Sequence, residues 1–542
     1  MGRRRLCRGV PTDPDVVGLR HLGGVLVPVG ATTQARPAPV RPPSDAVAPR
    51  WFAAVAAAVA AVAFLSRLVP VLRGGGLRGL GNYDDGVYYT AAVALLHGQL
   101  PYRDFLFLHP PGILVALAPF AAVAHLTSDS TGMVWARLAV MALGAVSAVL
   151  VVRILRWSGA FPAALGGLFY AVYWPNVTDE RTTLLEGPGS LCLLAALALL
   201  AGAPGSAPAV LPTVLAGAAL GLACGLKIWG LAVLATVALM VLVAHGARPA
   251  LRVLGGAALA LGAVCLPFWL AAPAAMFRLV VRDQLGRHRY ALNLGQRLSD
   301  MVGVPPTGSP DHRLTLLVVV ALLVVLGSAL LAWRVRRART AVALLAVLSA
   351  VLLTSPSWYM HYAALIAAPL ALTLGFAAGR LFRLLPAGAG TAGRALAASS
   401  LVAVLAYCWA GLSTEIGVRF PGTELAAAAA GVRGCVTADD PSVLVQMNVL
   451  SRDYHRGCRV EVDVTGAIIE LQHGRHSGGE LLTAQDRARW QPHLRGYLLS
   501  GSATMLVRRG PDELTHGTRA QLRRLPVLAR HGSFVLLGTA RR

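Results

Sequence analysis

Eleven apolar stretches, each close to the roughly 20 residues that cross about 30 Å of hydrocarbon as a helix, leave this chain few folds to choose from. They fall near residues 51–71, 133–152, 160–175, 187–202, 208–226, 228–245, 251–272, 313–333, 340–356, 359–378 and 395–412. With 56% of its 542 residues hydrophobic and only 14% charged, the sequence has more apolar surface than a water-soluble globule can hide. In lipid every backbone polar group must be satisfied within its own segment, so the stretches are expected to be helices. The fold class expected is an α-helical polytopic membrane protein of about eleven spans.

Charge gives the orientation. The net charge of +24 is carried by arginine, since Lys227 is the only lysine. The basic residues sit at span ends and form no patch interleaved with aromatics, which argues for topology and lipid headgroups and against nucleic acid. Residues 1–50 carry Arg3, Arg4, Arg5 and Arg8 and are rich in proline; without an apolar core and cleavage site, they read as a disordered cytoplasmic leader. Arg153/Arg156, Arg248/Arg252, Arg334/Arg336/Arg337/Arg339 and Arg380/Arg383/Arg394 fall on alternate connections, the side expected to share the cytoplasm with the N-terminus. Counting Pro110–Thr127 as a further span would turn those clusters outward. It is therefore expected to be a re-entrant or interfacial helix within a first outer loop, 72–132. A transmembrane domain over 51–412 then carries the loops Asn176–Glu186, Pro273–Arg313 and Ser355–His361 on its outer face. The compartment expected is the plasma (inner) membrane.

Residues 413–542 are of mixed polarity, with β-type runs at Cys435–Thr437, Arg459–Val464, Thr504–Arg508 and Ser533–Leu537 between helical stretches, and read as a small outer α/β domain. Cys435 and Cys458 both lie there, 23 positions apart, and an oxidising outer compartment makes a disulfide between them plausible. Cys7, Cys192, Cys224, Cys265 and Cys408 occur singly without metal-ligand spacing and read as small hydrophobes or bystanders.

The first outer loop holds the chemistry-bearing pattern: Asn82-Tyr83-Asp84-Asp85-Gly86-Val87-Tyr88-Tyr89, then Tyr102-Arg103-Asp104, then His109-Pro110-Pro111-Gly112. Paired carboxylates beside a bilayer suit a catalytic base; as an alternative, Asp84 caps a helix over Gly86–Leu96. These motifs resemble the first outer loop of the GT-C membrane glycosyltransferases, in the polyprenyl-phosphate-sugar branch that includes protein O-mannosyltransferases and aminoarabinose transferases. That family typically has Asp-Glu-x-x-Tyr and His-Pro-Pro-Leu, where this chain has Asp-Asp and a terminal glycine. The resemblance implies a GT-C bundle that transfers a sugar with inversion from a polyprenyl-phosphate-sugar donor to a glycan, lipid or protein acceptor. It also implies Asp84 as the base with Asp85 assisting, and Tyr88 and His109 near the donor.

Inverting transfer needs a carboxylate to take the acceptor proton and positive charge on the departing phosphate. Lys227, where two spans meet on the outer side, suits the phosphate, since a cation near hydrocarbon needs an anion or must snorkel. Arg181 could pair with phosphate and Glu186 with sugar or acceptor hydroxyls; helix-initiating loop residues explain both equally well. His361 lies at an outer span end, either at the donor or in an aromatic belt. The loop with Arg282, Arg287, His288, Arg289 and Tyr290 reads as a solvated face that could cover a phosphate. No cofactor follows from these residues, and no spacing calls for a metal. A transporter or flippase of lipid-linked sugars is the alternative, but it should show internal repeats and broken polar helices near the midplane, and the acids here gather on one face.

Overall fold

The computed structural model describes residues 49–202, 209–287, 294–304, 312–385, 390–468, 484–507 and 514–539. The basic leader, Cys7 and the stretch His288–Tyr290 lie outside them. The described residues fall within one compact unit.

Each expected span coincides with a helix. In chain order these include α1 (Pro49–Arg73), followed by α2 (Tyr83–Leu96) and α3 (Gly112–Leu126) in the segment 72–132, then α4 (Asp129–Leu155), α5 (Ala160–Val172), α6 (Trp174–Asp179), α7 (Glu186–Leu200), α8 (Val210–Leu226), α9 (Gly230–His245) and α10 (Ala247–Ala271). Short helices α11 (Pro273–Phe277), α12 (Asp283–Leu285) and α13 (Leu294–Met301) precede α14 (His312–Trp333), α15 (Arg339–Thr354), α16 (Ala367–Leu384) and α17 (Gly390–Leu412). Among the described residues, 7 helices are long and apolar enough to cross a membrane. The spans expected at α5, α7, α8 and α9 are shorter apolar helices of 13, 15, 17 and 16 residues.

Small residues let the bundle close. Gly217 and Gly221 on α8 face α10 so tightly that a Cβ on either would overlap the backbone of Val253 or Ala257. This is the small-residue spacing that brings membrane helices into backbone contact. A buried ion pair ties α1 to the α6 end: Arg67 Nε donates to Glu180 at 2.7 Å, and the Tyr170 hydroxyl donates to the same carboxylate at 2.7 Å. Both charged side chains are fully buried.

The segment 72–132 and the tail share one hydrophobic core. Tyr88, Tyr89, Phe107, Ile113 and Leu114 pack in the same cluster as Leu444, Val449, Met505 and Leu536. The tail sheet has four strands, β1 (Val436–Ala438), β2 (Ala503–Leu506), β3 (Val527–His531) and β4 (Phe534–Gly538), in the order β1-β2-β4-β3. β1 and β2 are parallel and the other pairings antiparallel. Two sequence expectations are corrected here. Arg459–Val464 forms no strand, although Val462 and Val464 are buried: its alternation reflects one-sided burial with no neighbouring strand to pair. β3 was not anticipated; it pairs through the tight turn at Gly532, whose φ of 57° suits glycine.

Candidate active site

A helix start fixes the two acids on different sides. Asn82 caps α2, its Oδ1 accepting from the Asp84 N–H at 3.0 Å, so the capping role considered for Asp84 belongs to Asn82. Successive residues on a helix diverge by about 100°, and the two carboxylates part accordingly. Asp85 is buried against α4, where it accepts from Arg137 Nε at 3.0 Å and is ion-paired through Arg137 Nη2. The Thr183 N–H and hydroxyl also donate to it, at 2.9 and 2.8 Å. Arg137 in turn donates to the carbonyls of Leu77 and Gly79 at 2.6 and 2.9 Å. Asp85 thus anchors α2, whereas Asp84 faces an open cleft.

That cleft holds about 470 Å³ counted to its open mouth and is lined by Asp84, Tyr88, His109, Lys227, Arg287 and Asp463, with Phe107, Tyr359 and Tyr362 as aromatic walls. Burial and then the charge of Asp463 push the Asp84 carboxyl up to about 6, against the opposing pull of Arg287 and Lys227. A carboxyl poised there exchanges protons readily near neutrality. Burial, together with Lys227 and Arg287, holds the His109 imidazole well below its usual range, so it enters the cleft neutral. Its ring lies edge-on to Tyr88, 5.7 Å between centroids.

Lys227 follows the last turn of α8 and forms an ion pair with Glu186 at the start of α7. Its ammonium also sits 4.2 Å from the Trp229 ring centroid and 4.0 Å from that of Tyr362. From this pair an apolar recess continues between α7, α8 and α9, lined by Leu185, Leu193, Leu226, Val233 and Leu365. Lys227 and Glu186 therefore stand on the boundary between a polar cleft and a greasy one.

The remaining motifs frame this arrangement. Tyr102 takes a positive φ of 68°, and its hydroxyl donates to the His109 carbonyl at 2.6 Å, while the Leu100 N–H donates to Asp104 at 2.7 Å. The loop is thereby folded back so that His109 reaches the cleft. Gly112, where the resembled family has leucine, has a local reason: a Cβ there would stand 2.5 Å from the Gly225 carbonyl.

Of the expected residues, Asp84, Tyr88, His109 and Lys227 line the cleft and Glu186 adjoins it. His361 lies behind the aromatic wall, stacked on Tyr359 at 5.7 Å and with Nδ1 3.4 Å from Asn82 Nδ2. Arg181 is off the cleft, beside Asp85 and Arg137. Cys435 and Cys458 are bonded, with Cα atoms 5.7 Å apart. Sequence reasoning missed Asp463, Tyr359, Tyr362 and Arg137 and read Arg287 as solvated. Arg287 instead lines the cleft, with Nη1 3.5 Å from both the Tyr362 hydroxyl and Ser357 Oγ. Nothing local marks Asp463, which reaches the cleft only through tertiary folding of the tail.

The chain folds as a polytopic helical bundle with a polar cleft and a small sheet in its tail. Its residues 107–356 match Glycosyltransferase family 87. The fold is similar to that of ArnT from Cupriavidus metallidurans bound to undecaprenyl phosphate, with a TM-score of 0.57 at 16% identity over 91% of this chain and 98% of that one. The apo state of ArnT gives 0.58 at the same identity and coverage. An oligosaccharyltransferase from Archaeoglobus fulgidus in complex with Zn and sulfate gives 0.52 at 11% identity, over 83% and 67% of the two chains. No curated protein matches the sequence.

Proposed function

We propose that the cleft transfers a sugar from a polyprenyl-phosphate donor to an acceptor hydroxyl, with inversion at the anomeric carbon, on the outer face of the plasma (inner) membrane. The observation that carries this reading is a carboxyl poised near neutrality, Asp84, in one cleft with the cations Lys227 and Arg287. The apolar recess beginning at Lys227 suits the lipid portion of such a donor, and the fold-related ArnT was crystallised with undecaprenyl phosphate. In the reaction the acceptor oxygen attacks the anomeric carbon as its proton passes to Asp84. The bond from that carbon to the phosphate oxygen breaks, and the phosphate leaves with the electron pair, stabilised by Lys227 and Arg287. Asp85 holds α2 in place through Arg137. Incubating membranes that contain the protein with a panel of radiolabelled polyprenyl-phosphate sugars tests the reading directly; at least one should be consumed, and consumption of none rejects it.

Lys227→Met should raise the apparent donor KM about tenfold or more, with a further kcat loss if the charge also stabilises the leaving phosphate. The change strands Glu186, whose buried carboxylate would lose its ion-pair partner. The double variant Lys227→Met/Glu186→Gln separates the two effects: a raised donor KM should persist in it, and a normal one would reassign the phosphate to Arg287. Lys227→Arg should keep part of the activity.

The orientation is tested at exposed positions. Single cysteines replacing Arg103 and Arg459, whose side chains are half or more exposed, should react with an impermeant maleimide added from outside. One replacing Arg336, in the connection before α15, should not. The opposite labelling pattern would invert the topology.

A further inference from the structure

The tail contributes one carboxylate to the cleft, and its placement is built rather than incidental. Asp463 Oδ1 accepts from the Gly466 N–H at 2.8 Å and from the Tyr83 hydroxyl at 3.1 Å. The same hydroxyl accepts from the Thr465 N–H at 3.0 Å, so Tyr83, immediately before Asp84, grips both ends of the 463–465 turn. A Cβ on Gly466 would overlap the Asp463 carboxylate, so this turn holds its acid in place only with glycine there. The disulfide Cys435–Cys458 anchors the segment five residues upstream. The cleft therefore carries Asp84 from the bundle and Asp463 from the tail, with Lys227 and Arg287 in the same lining.

From this geometry we infer that Asp463 is the acceptor-binding carboxylate, accepting hydrogen bonds from a neutral polyhydroxylated acceptor and so laying its reacting hydroxyl on Asp84. The inference rests on the glycosyl-transfer reading above. Charge selects the acceptor class. An acidic acceptor would meet Asp84, Asp463 and the donor phosphate, and an amine beside the two carboxylates would be held as an ammonium with no lone pair for attack. Hydroxyl groups can donate to the carboxylates without adding charge, and the rings of Tyr359, Tyr88 and Phe107 in the lining give the apolar side of a sugar something to pack on. Asp463 acts on the base as well as on the acceptor. The groups whose charge reaches Asp84 are Asp463, Glu186, Arg287 and Lys227, with Tyr88 and the neutral His109 also in the lining. Removing the Asp463 charge makes the Asp84 proton easier to lose.

The experiment uses the full chain in lipid nanodiscs, with whichever radiolabelled polyprenyl-phosphate sugar it consumes as donor and methyl α-D-mannopyranoside or methyl α-D-glucopyranoside as acceptor probe. Asp463→Asn should raise the acceptor KM about tenfold or more, as loss of a charged hydrogen-bond acceptor does, with donor KM within about twofold. It should also move the acid limb of kcat/KM to lower pH. Gly466→Ala and Tyr83→Phe should shift acceptor KM in the same direction by less. A uniform kcat loss with unchanged acceptor KM and an unmoved acid limb would make Asp463 merely structural and overturn the inference. So would transfer to an amine or acid acceptor in preference to both glycosides. A wild-type protein that consumes no polyprenyl-phosphate sugar fails at the earlier step and removes the reading beneath it.

Discussion

Asp84→Asn should lower turnover by about two to four orders of magnitude while leaving donor binding intact, the loss expected when a positioned general base is removed. It should also make the folded protein more resistant to heat at neutral pH. The sign follows from linkage. The folded-state carboxyl is raised from 3.8 to about 6, so between those values the folded protein holds a proton that the unfolded chain has released. Stability from this group therefore falls as pH rises through that window, by on the order of 3 kcal/mol once both states are ionised. Asparagine has no charge to bury and avoids that cost. In the wild type, kcat/KM for the acceptor should fall as pH drops through about 6, because the base must be ionised to accept a proton. Thermal melting of the purified protein beside a donor-consumption assay checks both halves. An Asp84→Asn protein that turns over at the wild-type rate would move the base elsewhere, with Asp463 the next carboxylate in the cleft.

Arg137→Met is expected to produce a large loss of stability. It would leave Asp85, wholly buried, without its ion-pair partner, kept only by the Thr183 donors and the nearby charge of Arg181, and breaking a buried pair from one side costs about 3–5 kcal/mol. The same change frees the carbonyls of Leu77 and Gly79, which now receive Arg137. The start of α2 would loosen and Asp84 with it. Replacing both partners, Asp85→Leu with Arg137→Met, should recover most of the melting temperature, because the stranded charge is gone. Recovery of activity along with stability would assign Asp85 to positioning; a stable double variant that is inactive would return Asp85 to the chemistry.

Most of the bundle was legible because each span announces itself by composition alone: the helices from α1 to α17 that replace the expected spans lie on the stretches named from hydropathy. The first-loop residues were legible for a different reason, since Asp84, Tyr88 and His109 lie within one short stretch whose spacing carries the pattern. Lys227 stood out by rarity. What could not be read were contacts made by distant segments. Asp85 looks equivalent to Asp84 until α2 forms and turns it toward Arg137, 52 residues away. Arg287 resembles any loop arginine until it meets Tyr362. Asp463 lies in a run whose alternation imitates a strand, and only the grip of Tyr83, 380 positions earlier, turns that run into part of the cleft.

The contact between Gly112 and Gly225 joins the segments that bring His109 and Lys227 to the cleft. Gly112 opens α3 directly after the His109 loop, and Gly225 lies two residues before Lys227, with no side chain between the two backbones. The loop that presents His109 and the end of α8 that carries Lys227 are therefore in direct backbone contact. Asp84 is held through α2, Asp85 and Arg137, so on the reading proposed above the spacing between base and leaving group is set by backbone and buried charge. On that reading, the part of the cleft that would set acceptor choice is the turn at 463–466 supplied by the tail. On the same reading the bundle would set the geometry of transfer, and the tail is where new acceptors would be acquired.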